Sequence, residues 1–544
     1  MIIHKYASGS SCRTSLNLKT VLFRNRSAIL RFHGWRQYLP ALLAACIVQF
    51  SLEPAFSQGL RMPVGIFEGH GDIGTNVKPG SASFIPSTGQ YIISGAGYNI
   101  WNDHDEFQFV WKKMKGDFIL YTRAAFLQNW VGYHRKIGWM VRQSLDGNSP
   151  HVNVVEHGDG LTSLQFRRTA GATTEEIKST ITRADVLQLE RRGNKYIMRV
   201  AQYGDLFTTD TISGINLGDE VYVGLFVGSH NSDVLETGVF WDVRINIPYM
   251  GVADGETQMS LGSNLELLEV ASGSRKIVHS VPYSIQAPNW TKDGKYLIFN
   301  DYKGLLYRFD LSTLEPEAMN TGEVRNNNND HVISFDGTMI GLSSNVDKLG
   351  GSIIYTVPMN GGNPTQITPQ GPSYLHGWSP DGKDLVFCGE RNGEFDVYKI
   401  PAAGGKEMRL TDSKGLDDGP EYSPDGHYIY FNSVRSGLMQ IWRMKPDGSA
   451  QEEVTNDDLN NWFAHISPDG QWMVFLSFLK EEVDPGIHPP YKHVYLRIQS
   501  TASGSKPKVL AYVYGGQGTI NTPSWSPDSK RIAFISNSDM SGSH

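Results

Sequence analysis

The chain has 544 residues, 40% hydrophobic and 11% aromatic, with 57 glycines and a net charge of −7. That length exceeds one ordinary core and predicts two or more domains, and the aromatic and glycine content predicts β-structure with many turns. Lysine and arginine are scattered beyond the N-terminus, so there is no basic field to attract nucleic acid, and no nucleic-acid partner is expected.

Residues 1–57 read as an export signal. Lys5, Arg13, Lys19, Arg24, Arg26, Arg31 and Arg36 all precede the first acidic residue, Glu53. An apolar run from Tyr38 to Leu52, too short to span a bilayer comfortably, is followed by Ala55-Phe56-Ser57 at a cleavage spacing. This predicts a periplasmic or secreted protein with no transmembrane anchor in its mature form. Leu43-Ala44-Ala45-Cys46 offers the alternative of a lipoprotein acylated at Cys46, although the apolar run continues past that cysteine. Of three cysteines, Cys12 and Cys46 lie in this segment, which leaves Cys388. It follows Leu385-Val386-Phe387 and reads as a small buried hydrophobe with no disulfide partner.

Residues 62–248 show strand-like alternation. Phe107, Phe109 and Trp111 share one face of a strand, as do Phe118, Leu120, Thr122, Ala124 and Phe126. Runs at Tyr196 to Val200, Val221 to Val227 and Val239 to Ile245 are separated by glycine or asparagine turns, which predicts an antiparallel β-sandwich. Gly71-Asp72-Ile73-Gly74, Trp139-Met140-Val141-Arg142 and Val223-Gly224-Leu225-Phe226-Val227 resemble the concanavalin/laminin-G-like jelly-roll sandwiches of surface and carbohydrate-handling proteins. By that resemblance His104, Asp105, Trp130, His134 and Arg135 are expected on a ligand face or in packing.

The segment 249–544 carries a repeat. Its clearest copy is Trp378-Ser379-Pro380-Asp381-Gly382 followed by Leu385-Val386-Phe387, and its aspartates are Asp293, Asp336, Asp381, Asp425, Asp469 and Asp528. The steps of 43, 45, 44, 44 and 59 suit one four-stranded propeller blade each. Only two strands of the sixth unit precede the last residue. Leu265 to Val270 and Arg275 to His279 are therefore expected to supply its third and fourth strands, a closure of two strands from each end. The units resemble the TolB-type PD40 β-propeller. The expected fold is all-β, a sandwich followed by a six-bladed propeller.

Strand order puts the starts of the inner strands and the longer polar loops on one face, and the Pro-Asp-Gly turns on the other, which reads as structural. On the loop-rich face fall Asp330, His331, His376, Asp418, Glu421 and His465 at the inner strands. Glu390, Arg391 and Arg435 follow second strands, while Trp462, Tyr491, Gln517 and Asn521 offer aromatic and amide surfaces. His331, His376 and His465 come from separate blades and are candidate ligands of a divalent metal, against the alternative of hydrogen bonds across blades. No other cofactor is expected. With a metal, the face resembles propeller polysaccharide lyases such as oligogalacturonate lyase. That resemblance implies His488 or His493 as base and Arg435 or Arg391 as carboxylate clamp.

No Gly-x-Ser-x-Gly elbow occurs in the chain. The leading expectation is an exported envelope protein, a non-enzymatic binding or scaffold module for a protein partner or an oligosaccharide or polysaccharide. The alternative is a metal-dependent polysaccharide lyase or glycoside hydrolase.

Overall fold

The computed structural model describes residues 63–128, 132–249, 261–502 and 504–540. Residues 1–57, read from sequence as an export signal with Cys46 as an alternative acylation site, and Trp130 lie outside the described residues. Gly59–His544 forms one compact unit. Among the described residues no helix is long and apolar enough to cross a membrane.

The N-terminal half is built from two seven-stranded antiparallel sheets. One runs Gly69–Ile73, Phe107–Lys115, Glu220–Gly228, Lys136–Arg142, His151–His157, Thr162–Arg167 and Glu175–Lys178 in spatial order. The other runs Thr208–Ser213, Lys195–Ala201, Val186–Arg192, Phe118–Phe126, Asn231–Asn246, Gln90–Gly97 and Ser81–Ile85. Alternate residues of both sheets meet in one core that includes Val110, Trp139, Val154 and Leu225 from the first and Leu120, Leu189, Met198 and Phe240 from the second. Period-2 alternation selects these side chains.

The first sheet departs from the one-sided pattern, because both of its faces are buried. Phe107, Phe109 and Trp111 pack away from that core, in a second cluster with Ile73, Ile100, Met140 and Phe226. The chain around residues 99–105 folds over them and is tied down by Thr174 N–H to the Trp101 carbonyl, 2.9 Å, and Asp105 N–H to the Gly147 carbonyl, 2.7 Å. Asp105 anchors this cover through Arg167 at 2.7 Å, with Arg142 and His151 each at 3.5 Å, all fully buried. A carboxylate so enclosed serves packing rather than an open ligand face.

The C-terminal half is a six-bladed propeller. Five blades are four-stranded antiparallel sheets, with inner strands Ile285–Trp290, Asn327–Ile333, Ser373–Trp378, Asp417–Tyr422 and Leu459–Ile466. In the sixth, Arg531–Ser538 pairs with Gly262–Glu269, which pairs in turn with Ser274–Val281, so strands from opposite ends of the propeller share one sheet. Its innermost position is held by the bridge between Trp525 and Ile532.

The repeat has a specific mechanism. In every unit the hydroxyl two residues before the aspartate donates to that carboxylate, from Thr291 to Asp293 (2.7 Å) through Ser526 to Asp528 (2.6 Å). The same carboxylate accepts the N–H two residues on, as in Lys383 to Asp381 at 3.2 Å, and the hydroxyl accepts the N–H that starts the next strand, as in Asp384 to Ser379 at 2.9 Å. Each turn thus satisfies its own polar groups. The tryptophan ahead of it reaches across blades: Trp378 Nε1 donates to the Val332 carbonyl and Trp525 Nε1 to the His465 carbonyl, both at 2.9 Å.

The two halves are joined by buried polar contacts. Arg275 of blade six lies 3.0 Å from Glu266 and 3.5 Å from Asp242, and Arg244 lies 3.1 Å from Glu266. Tyr121, Val186 and Ala201 share an apolar cluster with Tyr495, Val509 and Tyr512 of blade five.

Candidate ligand cavity at the loop-rich mouth of the propeller

The inner strands are not regular. Pairing with the second strand slips at the same level in the first five blades, between Gln286 and Asn289, Asn327 and His331, Leu375 and Gly377, Asp418 and Glu421, and Trp462 and His465. A bulge leaves a residue out of the ladder and re-aims its side chain. Asp330, His376 and Phe463 sit in these bulges, and Asp418 at the edge of one. Phe463 has φ 55°, a costly conformation for an aromatic, and its N–H is fixed by donation to Asn432 Oδ1 at 3.0 Å.

The re-aimed side chains line a cavity of about 580 Å³ on the loop-rich face. Blade two contributes Asn328, Asn329, Asp330 and Asn345, and blade three contributes Tyr374, His376, Cys388 and Phe395. Blade four adds Leu416 and Asp418, blade five adds Phe463 and the loop residues Gly486 and His488, and the entry to blade six adds Gln517 and Asn521.

The centre of the cavity is a charged cluster. His376 Nε2 lies 3.3 Å from Asp418 Oδ1, and His488 Nε2 lies 3.8 Å from Asp418 Oδ2. Burial would raise the Asp418 carboxyl, but His376 and the Gly419 N–H outweigh it and hold its pKa at about 2. Burial also works against protonation of His376, yet Asp330, Asp418 and Glu421 raise its pKa above the ordinary histidine value. Asp330 is pushed up to about 6, chiefly by burial. His488 is lowered, again by burial, with Asp418 opposing. Its ring packs edge-on to Trp462, centroids 4.3 Å apart, and to Phe463, 5.1 Å apart.

Of the residues singled out from sequence, Asp330, His376, Asp418, His488, Gln517 and Asn521 line this cavity. Trp462 is the buried wall behind His488. His331 and His465 do not join His376. His331 is buried with Nε2 3.4 Å from the Ile298 carbonyl, and burial lowers its pKa to about 4. His465 Nδ1 lies 2.5 Å from Glu421, and its other nitrogen bonds the Ile520 carbonyl. Glu421 itself lines a different, mostly apolar cavity of about 270 Å³ with Trp290, Trp378 and Trp525. Among the described residues no group of three or more His, Cys, Asp or Glu is placed to hold a metal ion.

The two arginines are also committed elsewhere. Arg391 bonds Glu407 twice, at 2.7 and 2.9 Å, and stacks on Tyr398. Arg435 bonds Asp417 at 2.8 Å and lies over Trp442. Neither lines the cavity, and Glu390 beside Arg391 does not either. His493 bonds Glu190 of the N-terminal half at 3.0 Å, and Tyr491 packs with Ile119, Leu261 and Tyr514. Both belong to the contact between the halves.

Asn329, Asn345, Tyr374 and Phe395 were not individually evident from sequence. Tyr374 lies two residues before His376 on the same inner strand, but the bulge at His376 breaks the alternation that would relate the two. Cys388 is buried, donates to the Asp417 carbonyl at 3.5 Å, and has a thiol pKa raised well above normal by burial, which keeps it protonated.

The sequence of the blades is matched by known proteins. Residues 376–488 match the family model of the PD40 TolB β-propeller domain. A protein of Agrobacterium fabrum, Uncharacterized protein Atu1656, is 43% identical over 277 residues, 51% of this chain and 92% of that one. A solved structure from Agrobacterium tumefaciens described as a TolB candidate is 43% identical, with a TM-score of 0.49 over 51% of this chain and 99% of that one. TolB from Acinetobacter baumannii is 20% identical, with a TM-score of 0.37 over 48% of this chain and 65% of that one.

Proposed function

Because this chain belongs to the TolB-like PD40 β-propeller family, we propose that it is a non-enzymatic binding or scaffold protein of the cell envelope. It holds a polypeptide partner in the cavity at the loop-rich mouth. One observation carries this reading over the lyase: Arg391 and Arg435, the guanidinium groups a uronate carboxylate would need, are spent on Glu407 and Asp417. The cavity offers instead a belt of amides that can both donate and accept, beside Phe395, Phe463 and Tyr374. That mixture suits peptide backbone and apolar side chains.

Two sheets around one core support a concanavalin/laminin-G-like sandwich for the N-terminal half, which the Arg275–Glu266–Arg244 contacts hold rigidly to the propeller. The basic and apolar segment 1–57 supports a periplasmic or secreted location.

The test is photo-crosslinking in intact cells from a photoreactive phenylalanine placed at Phe395, with the same group at Trp472, exposed near the Pro-Asp-Gly turns, as control. A discrete protein adduct from position 395 alone is expected. Identical adducts from both positions, or release of unsaturated products from polyuronates by purified protein, would overturn the proposal.

A further inference from the structure

A chain of hydrogen bonds in the cavity fixes the ring of His488. The Gly518 N–H can only donate, so the Asn521 atom it meets at 2.7 Å is the carbonyl oxygen. Asn521 therefore turns its NH₂ to Gln517, 3.2 Å away, and the Gln517 atom there is an oxygen. That same oxygen is the partner of His488 Nδ1, which must carry the proton. In the neutral ring the other nitrogen, Nε2, presents a lone pair.

That lone pair meets another acceptor. Asp418 Oδ1 is engaged by His376 at 3.3 Å and by the Gly419 N–H at 2.7 Å, while Asp418 Oδ2 stands 3.8 Å from His488 Nε2. Two acceptors at that separation, both at the cavity wall, call for a donor between them. A further buried group complements them: Asn329 lines the same cavity and its Nδ2 donor has no partner.

We propose that the cavity recognises a primary ammonium group with a neighbouring carbonyl, the N-terminus of a polypeptide partner. The ammonium bridges Asp418 Oδ2 and His488 Nε2, and the first carbonyl accepts from Asn329. Asp330 adds a second carboxylate on the same wall, and Phe463 an aromatic surface next to the cation. Among the described residues no arginine or lysine lines the cavity to oppose a cationic ligand. This inference rests on the reading of the cavity as a binding site.

Titration calorimetry with alanylphenylalanine amide and its N-acetyl form tests it on the unmodified protein. At least tenfold tighter binding of the free amine is expected, together with a shift of the unprotonated His488 nitrogen in ¹⁵N spectra when it binds. Asp418→Asn, checked for native fold by circular dichroism, should erase the preference. Equal affinity of the two forms, or binding of neither, overturns the inference. So does preferential binding of glucosamine, or of Mn²⁺ alone at the same nitrogen. If the two peptide forms bind equally while the crosslink from position 395 persists, the ammonium assignment falls and the binding site stands. If the free amine is preferred and the crosslink is absent, the partner reading falls instead.

Discussion

His376 Nε2 stands 3.3 Å from Asp418 Oδ1, and the two groups are shifted in opposite directions, the imidazole upward and the carboxyl down to about 2. The Asp418 contribution is present above its unfolded pKa and is lost as pH falls toward 2. The His376 contribution is full below the unfolded histidine pKa and is lost as pH rises through the raised native value. Their joint stabilisation is greatest in mildly acidic solution. His376→Gln is therefore expected to destabilise by about 3–5 kcal/mol there, the cost of leaving a buried charge unpaired. The loss should be smaller at pH 9. Urea unfolding of both proteins across that range measures it, and a loss independent of pH would contradict the pairing.

Asp330 carries the reverse linkage. With its pKa pushed up to about 6 by burial, the native state holds a proton that the unfolded chain has released, so stability falls as pH rises from about 4 to 6. Asp330→Asn should stabilise the protein by about 2–3 kcal/mol at pH 7 and change little at pH 3.5. Melting temperatures at the two pH values check this. The same substitution should weaken amine binding, a trade commonly found at sites built for function.

Five of the six repeat turns place glycine at φ 70–79°, at positions 294, 337, 382, 426 and 470, whereas the sixth has Ser529 at φ 59°. Ser529→Gly should gain about 0.5–1 kcal/mol by relieving the left-handed conformation. Loss of the exposed bond from Asp469 N–H to Ser529 Oγ, 3.1 Å, partly offsets the gain. Chemical denaturation reads the net sign, and a net loss would mean that the bond to Asp469 outweighs the strain.

The halves should unfold together because Arg275, with 3% of its side chain exposed, bonds Glu266 of its own blade and Asp242 of the N-terminal half. Arg275→Met is expected to cost about 3–5 kcal/mol, since it leaves the buried Glu266 and Asp242 to Arg244 alone, one guanidinium against two carboxylates. Calorimetry should show one transition in the parent protein and two in the variant.

Much of the propeller was legible because its information is local. The Ser-x-Asp-Gly turn closes within six residues, and its spacing alone counts blades. The cavity was less legible. Its face followed from strand order, but which side chains enter it depends on bulges, and a bulge is a property of two strands rather than one. His331 aligns with His376 in the repeat and His465 falls one position later, at the place of Glu421, yet Ile298 and Glu421 on neighbouring blades take them. Arg391 and Arg435 looked free for the same reason. Glu407 and Asp417, which hold them, are 16 and 18 residues away in sequence. His493 lies 303 residues from Glu190, a distance over which no motif speaks. The buried outer face of the first sheet was equally hidden, because the cover over Phe107 and Phe109 is irregular chain.

The pairing of Arg531–Ser538 with Gly262–Glu269 sets a timetable for biogenesis. Early blades can form as the chain arrives N-terminus first, but the first propeller strand waits, one edge unsatisfied, until its partner near the other end follows. For that whole interval Gly262–Glu269 is an open template for any extended chain that passes, another nascent copy included. A lesion that removes residues 531–538 would leave that template exposed permanently, so its consequence reaches the opposite end of the ring first.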